Sequence, residues 1–269
     1  MNVADCMSEG SARLSKAGIE TARLDMLVLL EDTLGIDRAQ LLAYPDHMLN
    51  KNQTERLEAM LTRRVTHEPI AYIRGKAAFF GRNFFVDERV LVPRPESETI
   101  IELLKYLPLP ASAKILDVGA GSGCLGITAA LELPKNSVTL SDISDDALQV
   151  AKQNANTLDV KNVTFLKANF AEACLKEHFD VVLANLPYVP EHFAINKAAT
   201  FEPELALFAG ADGLEAYKAF WQQLAESEQK PNYVLTESLP FQYHGIATLA
   251  RKAGYALEQR EDLIQVFAL

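Results

Sequence analysis

The sequence predicts an α/β protein: a mostly parallel sheet covered by helices, with a smaller helical unit ahead of it. Three observations carry this. From Lys114 onward, short β-branched runs alternate with amphipathic helical stretches, the order that builds a parallel sheet with helices on both faces. The first of those runs leads directly into Gly119-Ala120-Gly121-Ser122-Gly123, a glycine-rich strand-to-helix turn. Residues before position 75 show no strand signal and repeat apolar residues at helical spacing.

Residues 3–17 read as a weakly amphipathic helix that stops near Gly18. Residues 21–34 place Leu24, Leu27, Val28 and Leu34 at helical spacing, and Gly35 supplies the stop. Asp37 caps a short segment holding Leu41 and Leu42, which Pro45 ends. Asn52 and Glu55 read as a capping box opening a helix with Leu57, Leu61 and Val65 on one face. Arg63 and Arg64 fall in its last turns, where the helix dipole favours cations. Residues 1–74 are therefore expected to form a helical domain with no chemistry of its own, serving as a substrate-docking module, a lid or a packing element. Residues 77–92 are aromatic and β-branched around Gly81 and predict a β-hairpin, within a linker over residues 75–95. Pro93-Arg94-Pro95 blocks regular structure, and Glu96, Ser97 and Glu98 open a helix with acidic residues in its first turn.

The remainder, residues 96–269, is expected to be one domain. Strands are predicted at 115–118, 138–141, 163–166, 179–184 and 233–236, with two short ones near 256–257 and 265–267. Helices are predicted over 124–133, 145–155, 214–225 and 242–253.

Composition narrows the function. The 269 residues are 49% hydrophobic and 23% charged, ordinary for a protein with a real core. A net charge of −10 argues against broad electrostatic binding of nucleic acid. Cys6, Cys124 and Cys174 are odd in number and widely spaced, so neither a disulfide framework nor a metal-ligand set is expected. The N-terminal residues have neither a basic start nor an apolar core, so no signal peptide is expected. No apolar run reaches the ~18 residues of a membrane span. A cytoplasmic protein, with no metal site and with His178 and His192 as surface groups, is the expectation.

Asn185-Leu186-Pro187-Tyr188 follows an apolar strand, at the carboxyl edge where open α/β sheets bind ligands. Asn185 can donate and accept, Pro187 pushes Leu186 toward an extended backbone, and Tyr188 offers a flat face. Such a set grips a planar amide or amino group. A capped proline turn is the structural alternative. A glycine-rich turn followed by Asp142 at the end of the next strand marks a nucleoside site, with the carboxylate placed for two ribose hydroxyls. Alternating Gly119, Gly121 and Gly123 depart from the dinucleotide spacing and favour S-adenosylmethionine over NAD. Asp117 either orients the turn or attracts a ligand ammonium. Asn169 and Phe170 stand where an adenine edge and face would be met, with a core role open for Phe170.

With these segments in view, the chain resembles class I S-adenosylmethionine-dependent methyltransferases, and within them the release-factor glutamine methyltransferases of the HemK type. Glu68-Pro69-Ile70-Ala71-Tyr72-Ile73, Val90-Leu91-Val92-Pro93-Arg94-Pro95-Glu96, and Phe201-Glu202-Pro203 through Asp212-Gly213 carry that narrower resemblance, which spans nearly the whole length. It implies a Rossmann-like methyltransferase fold, a mostly parallel seven-stranded sheet with an antiparallel strand. It implies cofactor binding by Gly119, Ala120, Gly121, Ser122, Gly123, Asp142, Asn169, Phe170 and Asn185. It implies that Asn185, Leu186, Pro187 and Tyr188 hold the glutamine of a Gly-Gly-Gln motif in a peptide-chain release factor. A monomer using S-adenosyl-L-methionine and releasing S-adenosyl-L-homocysteine follows, with the helical unit docking the factor.

Four positions depart from the family pattern. Leu186 replaces the first proline, Asn169 replaces an aspartate, Ser238-Leu239-Pro240 lacks a glycine, and the glycine and arginine before the last strand are missing. The form with Leu186 is shared with adenine-N6 methyltransferases of ribosomal RNA, which keeps RNA or DNA adenine as the alternative substrate. A non-catalytic interaction protein is the third reading, opposed by the intact glycines, Asp142 and Asn185. Since the sulfonium is a strong electrophile, positioning by Asn185 and the Leu186 carbonyl is expected to carry the catalysis without a general base.

Overall fold

Strand order fixes where the ligands go, and it follows from the chain pattern in a computed structural model that describes residues 1–269. Two compact units are present. The first comprises Met1–Gly75 together with Ile195–Phe201, and the second Lys76–Ala194 together with Glu202–Leu269. The return of 195–201 to the first unit is invisible to a reading along the chain.

The first unit holds α1 (Val3–Lys16), α2 (Ala22–Leu34), α3 (Arg38–Ala43), α4 (Lys51–Val65) and α5 (Ile70–Arg74). Gly35 ends α2 in the left-handed conformation, and the Asp37 side chain accepts from the Gln40 amide to cap α3. The capping box of α4 is Asn50 with Gln53, two residues before the expected Asn52–Glu55 pair, because Asn50 is the residue in extended backbone. The buried face of α2 is Met26, Leu29 and Leu30, while Leu24 is 49% exposed. The continuous apolar run Met26-Leu27-Val28-Leu29-Leu30 gives periodicity little to choose between faces. Here the choice is tied to Asp25, buried on α2 and paired with Arg64 on α4 at 2.7 Å. Arg64 therefore belongs to the interior, where an ion pair persists only when well partnered, and a second bond to the Glu68 carbonyl helps.

The second unit begins with β1 (Ala77–Phe79) and β2 (Arg82–Phe84), a hairpin closed by Phe80 and Gly81, both at positive φ. The expected hairpin over 77–92 is thus much shorter, and residues 85–94 run on without ladder partners. Then follow α6 (Glu98–Tyr106), β3 (Lys114–Val118), α7 (Cys124–Glu132), β4 (Ser137–Asp142), α8 (Asp145–Thr157), β5 (Val163–Lys167), β6 (Val181–Ala184), α9 (Glu215–Glu226), β7 (Tyr233–Glu237), α10 (Tyr243–Lys252), β8 (Ala256–Glu261) and β9 (Ile264–Ala268). The sheet has seven strands in the order β5-β4-β3-β6-β7-β9-β8. All neighbours are parallel except β9, which runs antiparallel to β7 and β8. The mostly parallel sheet with one antiparallel strand is as expected. The turn between β8 and β9 places Asp262 at φ 47°, so an aspartate takes the left-handed position without the family's glycine, and the last strand still pairs in full with β7. Positive φ occurs at none of Ser238, Leu239 and Pro240, so that segment needs no glycine either.

Alternate residues of the central strands feed two cores, as strand geometry requires when both faces are covered. Ile115, Leu140, Val181, Leu183 and Leu235 pack toward α6, α7 and α8. Leu116, Val118, Val182, Val234 and Phe267 pack toward α9 and α10. Each such fully buried side chain contributes about 1.5–3 kcal/mol over exposure. Trp221 centres the second core, with ring centroids of Phe220, Tyr255 and Phe267 at 5.2, 5.3 and 5.2 Å. No helix is long and apolar enough to cross a membrane.

Candidate active site

Register alone places three predicted residues side by side. Val118 on β3 pairs with Ser141 on β4 and with Ala184 on β6. The next residue on each strand is Gly119, Asp142 or Asn185, so the glycine turn is flanked by the carboxylate and by the amide. These three, with Gly121, Asn169, Phe170, Leu186 and Pro187, line a cleft of about 530 Å³ at the carboxyl edge of the sheet. Ala120, Ser122, Gly123 and Tyr188 are not among its walls.

Gly119, Gly121 and Gly123 all take positive φ, at 69°, 54° and 79°. A Cβ at Gly123 would come within 2.8–3.1 Å of Ile127, Leu140 and Ala151, so this glycine seats the turn on the core, while Gly119 and Gly121 face the cleft. Asp142 Oδ2 accepts from the Gly121 amide and Oδ1 from the Ser144 amide, both at 2.9 Å. Burial pushes its carboxyl upward, opposed by those hydrogen bonds. Asp117 is fully buried, accepts from the Gly126 amide at 2.8 Å, and is pushed up to about 7 by desolvation. It anchors the start of α7, which is the turn-orienting role. Asn154 adds a third anchor: its Nδ2 donates to the Ser122 carbonyl at 2.8 Å and to the Phe85 carbonyl at 3.0 Å, while Oδ1 accepts from the Phe85 amide.

The 169–172 segment is tied down through two backbone amides. Asn169 N donates to Glu172, and Ala171 N donates to Gln223 of α9 at 2.7 Å. Phe170 takes φ 48°, lines the cleft and packs against the second core. Leu186 is 2% exposed, and its Cδ2 would lie 3.4 Å from a Cβ at Gly119. The leucine in place of proline thus packs under the glycine turn.

Asn185 Nδ2 donates to Ser97 Oγ at 2.9 Å and to Glu237 Oε2 at 3.1 Å. These two acceptors lie 2.5 Å apart, so one N–H is shared between them, and Oδ1 is turned away from both as the acceptor this side chain can offer. Tyr188 donates through its hydroxyl to Glu237 Oε1 at 3.0 Å, and burial raises that hydroxyl well above the usual tyrosine range. The Glu237 carboxyl is pushed up by burial and pulled back by bonds from Ser97, Tyr188 and Asn185. Reasoning from sequence assigned Glu237 and Ser97 no part in the site. The available signal was an acidic residue closing the strand after the one that carries Asn185.

The cleft suits a cationic nucleoside. Its ionisable walls are Asp142, Glu191 and Glu215 against Arg89, and Arg89 is already paired with Asp87. That balance favours a sulfonium and an ammonium and disfavours a pyrophosphate. No cluster of three or more metal-ligating side chains is present. Desolvation pushes the Cys124 thiol, beside the glycine turn, up to about 12, so it is no nucleophile.

The methyltransferase small domain family model matches residues 98–205, and the PrmC N-terminal domain model matches residues 5–75. The hMettl16 catalytic domain, solved with the MAT2A 3'UTR hairpin 6, shares the fold at a TM-score of 0.56, with 12% identity and 81% of each chain covered. Fold and cleft together define a class I S-adenosylmethionine-dependent methyltransferase. A release factor glutamine methyltransferase from Coxiella burnetii is 36% identical over 91% of this chain and 89% of its own. One from Koribacter versatilis is 36% identical over 88% and 86%. The chain belongs to the release factor glutamine methyltransferase family. It also matches a bifunctional methyltransferase of Rickettsia bellii at 32% identity, spanning 52% of that longer protein.

Proposed function

We propose that this protein methylates the side-chain amide nitrogen of the glutamine in the Gly-Gly-Gln motif of a peptide-chain release factor, using S-adenosyl-L-methionine and leaving S-adenosyl-L-homocysteine. The observation that carries this reading is the Asn185 amide, which lines the cleft with its nitrogen held by Ser97 and Glu237, so that Oδ1 is the end left to accept. An acceptor group there must donate, as an amide N–H does and a carboxylate cannot.

Gly119 to Gly123, Asp142, Asn169 and Phe170 would hold the cofactor. The bare glycine backbone leaves room for the amino-acid end, and the Asp142 carboxylate accepts from the ribose. When bound, the cofactor supplies an electrophilic sulfonium methyl. The chain supplies position. Asn185 Oδ1 and the Leu186 carbonyl accept the two N–H groups of the acceptor amide and hold its nitrogen in line. Pro187 keeps Leu186 extended. Tyr188 braces the loop through its hydroxyl on Glu237. The surplus proton on nitrogen leaves to water, so no side-chain base is needed. Oriented attack of this kind is where an enzyme gains most when the electrophile is already reactive.

The helical first unit serves to dock the factor. Removing it should then spare methylation of a short glutamine peptide more than that of the whole factor, and equal losses would assign it to packing. The same reading makes the protein a cytoplasmic monomer, since its substrate is a translation factor, and its net charge of −10 opposes stable nucleic-acid binding. The test offers labelled S-adenosylmethionine with a release factor, the factor with that glutamine changed to alanine, and ribosomal RNA. Label on the intact factor alone is expected. Label on RNA alone would move the protein to the adenine class.

A further inference from the structure

Ser97 and Gln242 reach the Asn185-Leu186-Pro187-Tyr188 loop from distant parts of the chain, and Glu202 holds the segment that carries Ser97. Ser97, from the proline-rich segment, donates to Glu237 Oε2 at 2.5 Å. Glu202 accepts from Val92 N at 3.0 Å and from Arg94 at 2.6 Å, tying that same segment to the 201–210 loop. Gln242 Nε2 reaches the carbonyls of Tyr188, Asp212 and Gly213 at 2.8, 3.1 and 3.2 Å. The methyl-transfer reading uses none of these side chains directly. At the centre of the frame lies Glu237, 1% exposed.

We propose that Glu237 is the positioning residue that fixes which way the Asn185 amide faces, and through it the preference of the site for a glutamine amide over a glutamate carboxylate. This rests on the glutamine reading above. Ala184 on β6 pairs with Thr236 on β7, so the next residues, Asn185 and Glu237, are neighbours by register. An asparagine in a cleft can present either its oxygen or its nitrogen, and the neighbours decide. Here Glu237 Oε2 accepts from both Ser97 Oγ and Asn185 Nδ2, while Ser97 Oγ also accepts from Nδ2. Turned over, the amide would set its oxygen against a carboxylate and against a hydroxyl whose proton is already given to that carboxylate. No donor would lie between them, so only one orientation is satisfied.

The carboxylate is itself locked. Its other oxygen accepts from Tyr188, and the Tyr217 hydroxyl sits 2.6 Å from the Glu237 backbone carbonyl and 2.9 Å from that of Ala184. Tyr217 therefore clamps the ends of β6 and β7 to each other. With Oδ1 held toward the acceptor, a glutamine gains a partner for its N–H, and a glutamate meets oxygen against oxygen.

The test is a mutant cycle on the full chain, read as kcat for release-factor methylation beside calorimetric affinity for S-adenosylmethionine. Glu237→Leu should lower kcat about 100-fold, the scale of a misplaced reacting group, while cofactor Kd stays within about threefold. Glu237→Gln keeps one oxygen to accept from Asn185 and should recover kcat to within about tenfold of wild type. In an Asn185→Ala background the same Glu237→Leu change should cost less than about threefold, because residues acting through one another are not additive. A glutamate-bearing analogue of the substrate peptide should inhibit Glu237→Leu more strongly than wild type. Full kcat in Glu237→Leu, or losses that multiply with Asn185→Ala, would overturn the proposal. If Glu237→Leu does not fold, Ser97→Ala carries the test: about tenfold loss in wild type and almost none beside Asn185→Ala, equal losses refuting it. A wild type that labels no release factor refutes the glutamine reading itself. One that labels the factor while the losses multiply refutes only the role of Glu237.

Discussion

Asp142 Oδ2 accepts a hydrogen bond from the Gly121 backbone amide at 2.9 Å, across the ends of two neighbouring parallel strands. One carboxylate thus both shapes the glycine turn and faces the cleft. Asp142→Ala should remove the ribose contacts and loosen the turn. The expected loss is about 3 kcal/mol of cofactor binding, roughly 100-fold in Kd. Calorimetric titration with S-adenosylmethionine measures it, and an unchanged Kd would remove Asp142 from the site.

Asn154 is 1% exposed and satisfies three backbone groups at once, on Phe85 and on Ser122. Asn154→Leu keeps the volume and leaves those groups unpaired. It should cost about 3 kcal/mol of stability, a fall in Tm of roughly 10 °C. Thermal melting followed by circular dichroism checks it. A fall under about 2 °C would mean that the Phe85 segment finds other partners.

Asp117 has its carboxyl raised to about 7 by burial. For an acid raised on folding, the linked stability is full below its unfolded value near 3.9 and is lost as pH climbs through 7. Asp117→Asn keeps an oxygen for the Gly126 amide and removes the titration. The variant should therefore gain on wild type as pH rises from 5 to 8. Denaturant unfolding across that range decides the matter, and a constant difference would show that Asp117 is ionised throughout.

Arg94 pairs with Glu202, whose side chain is 2% exposed, while the arginine itself keeps 35% of its surface. Arg94→Met leaves a buried carboxylate supported only by Val92 N. With solvent screening at the exposed end, about 2 kcal/mol of stability should go. The double variant Arg94→Met with Glu202→Gln should recover part of it. A double variant no better than the single would mean that the charge is not the cost.

Most of the framework was legible because parallel-sheet strands carry continuous apolar runs and the glycine turn has a strong spacing. Asp142 closes the strand after the glycine turn, and Asn185 is the polar residue that follows an apolar strand. The residues that went unassigned act across long separations. Ser97 and Glu237 lie 140 positions apart and Arg94 and Glu202 lie 108 apart, so only strand order and register bring them together. Nor could periodicity choose the buried face of α2, where the partnering of Asp25 with Arg64 settles the rotation. The displaced capping box at Asn50 has a plainer cause, since Asn50, Asn52 and Gln53 crowd the start of α4 and only backbone geometry separates them.

The lone tryptophan, Trp221, sits in the second core among Phe220, Tyr255 and Phe267, its indole nitrogen without a hydrogen-bond partner. It belongs wholly to the second unit, and the first unit has none. The protein thus carries an optical reporter for one unit only. Its emission should be blue-shifted in the native state and move to the red when the sheet opens, silent to whatever the N-terminal helices do. Backbone circular dichroism sees both units. Coincident transitions by the two signals would make the chain one cooperative body, and a helical loss that precedes the red shift would make the helical unit a part that melts alone.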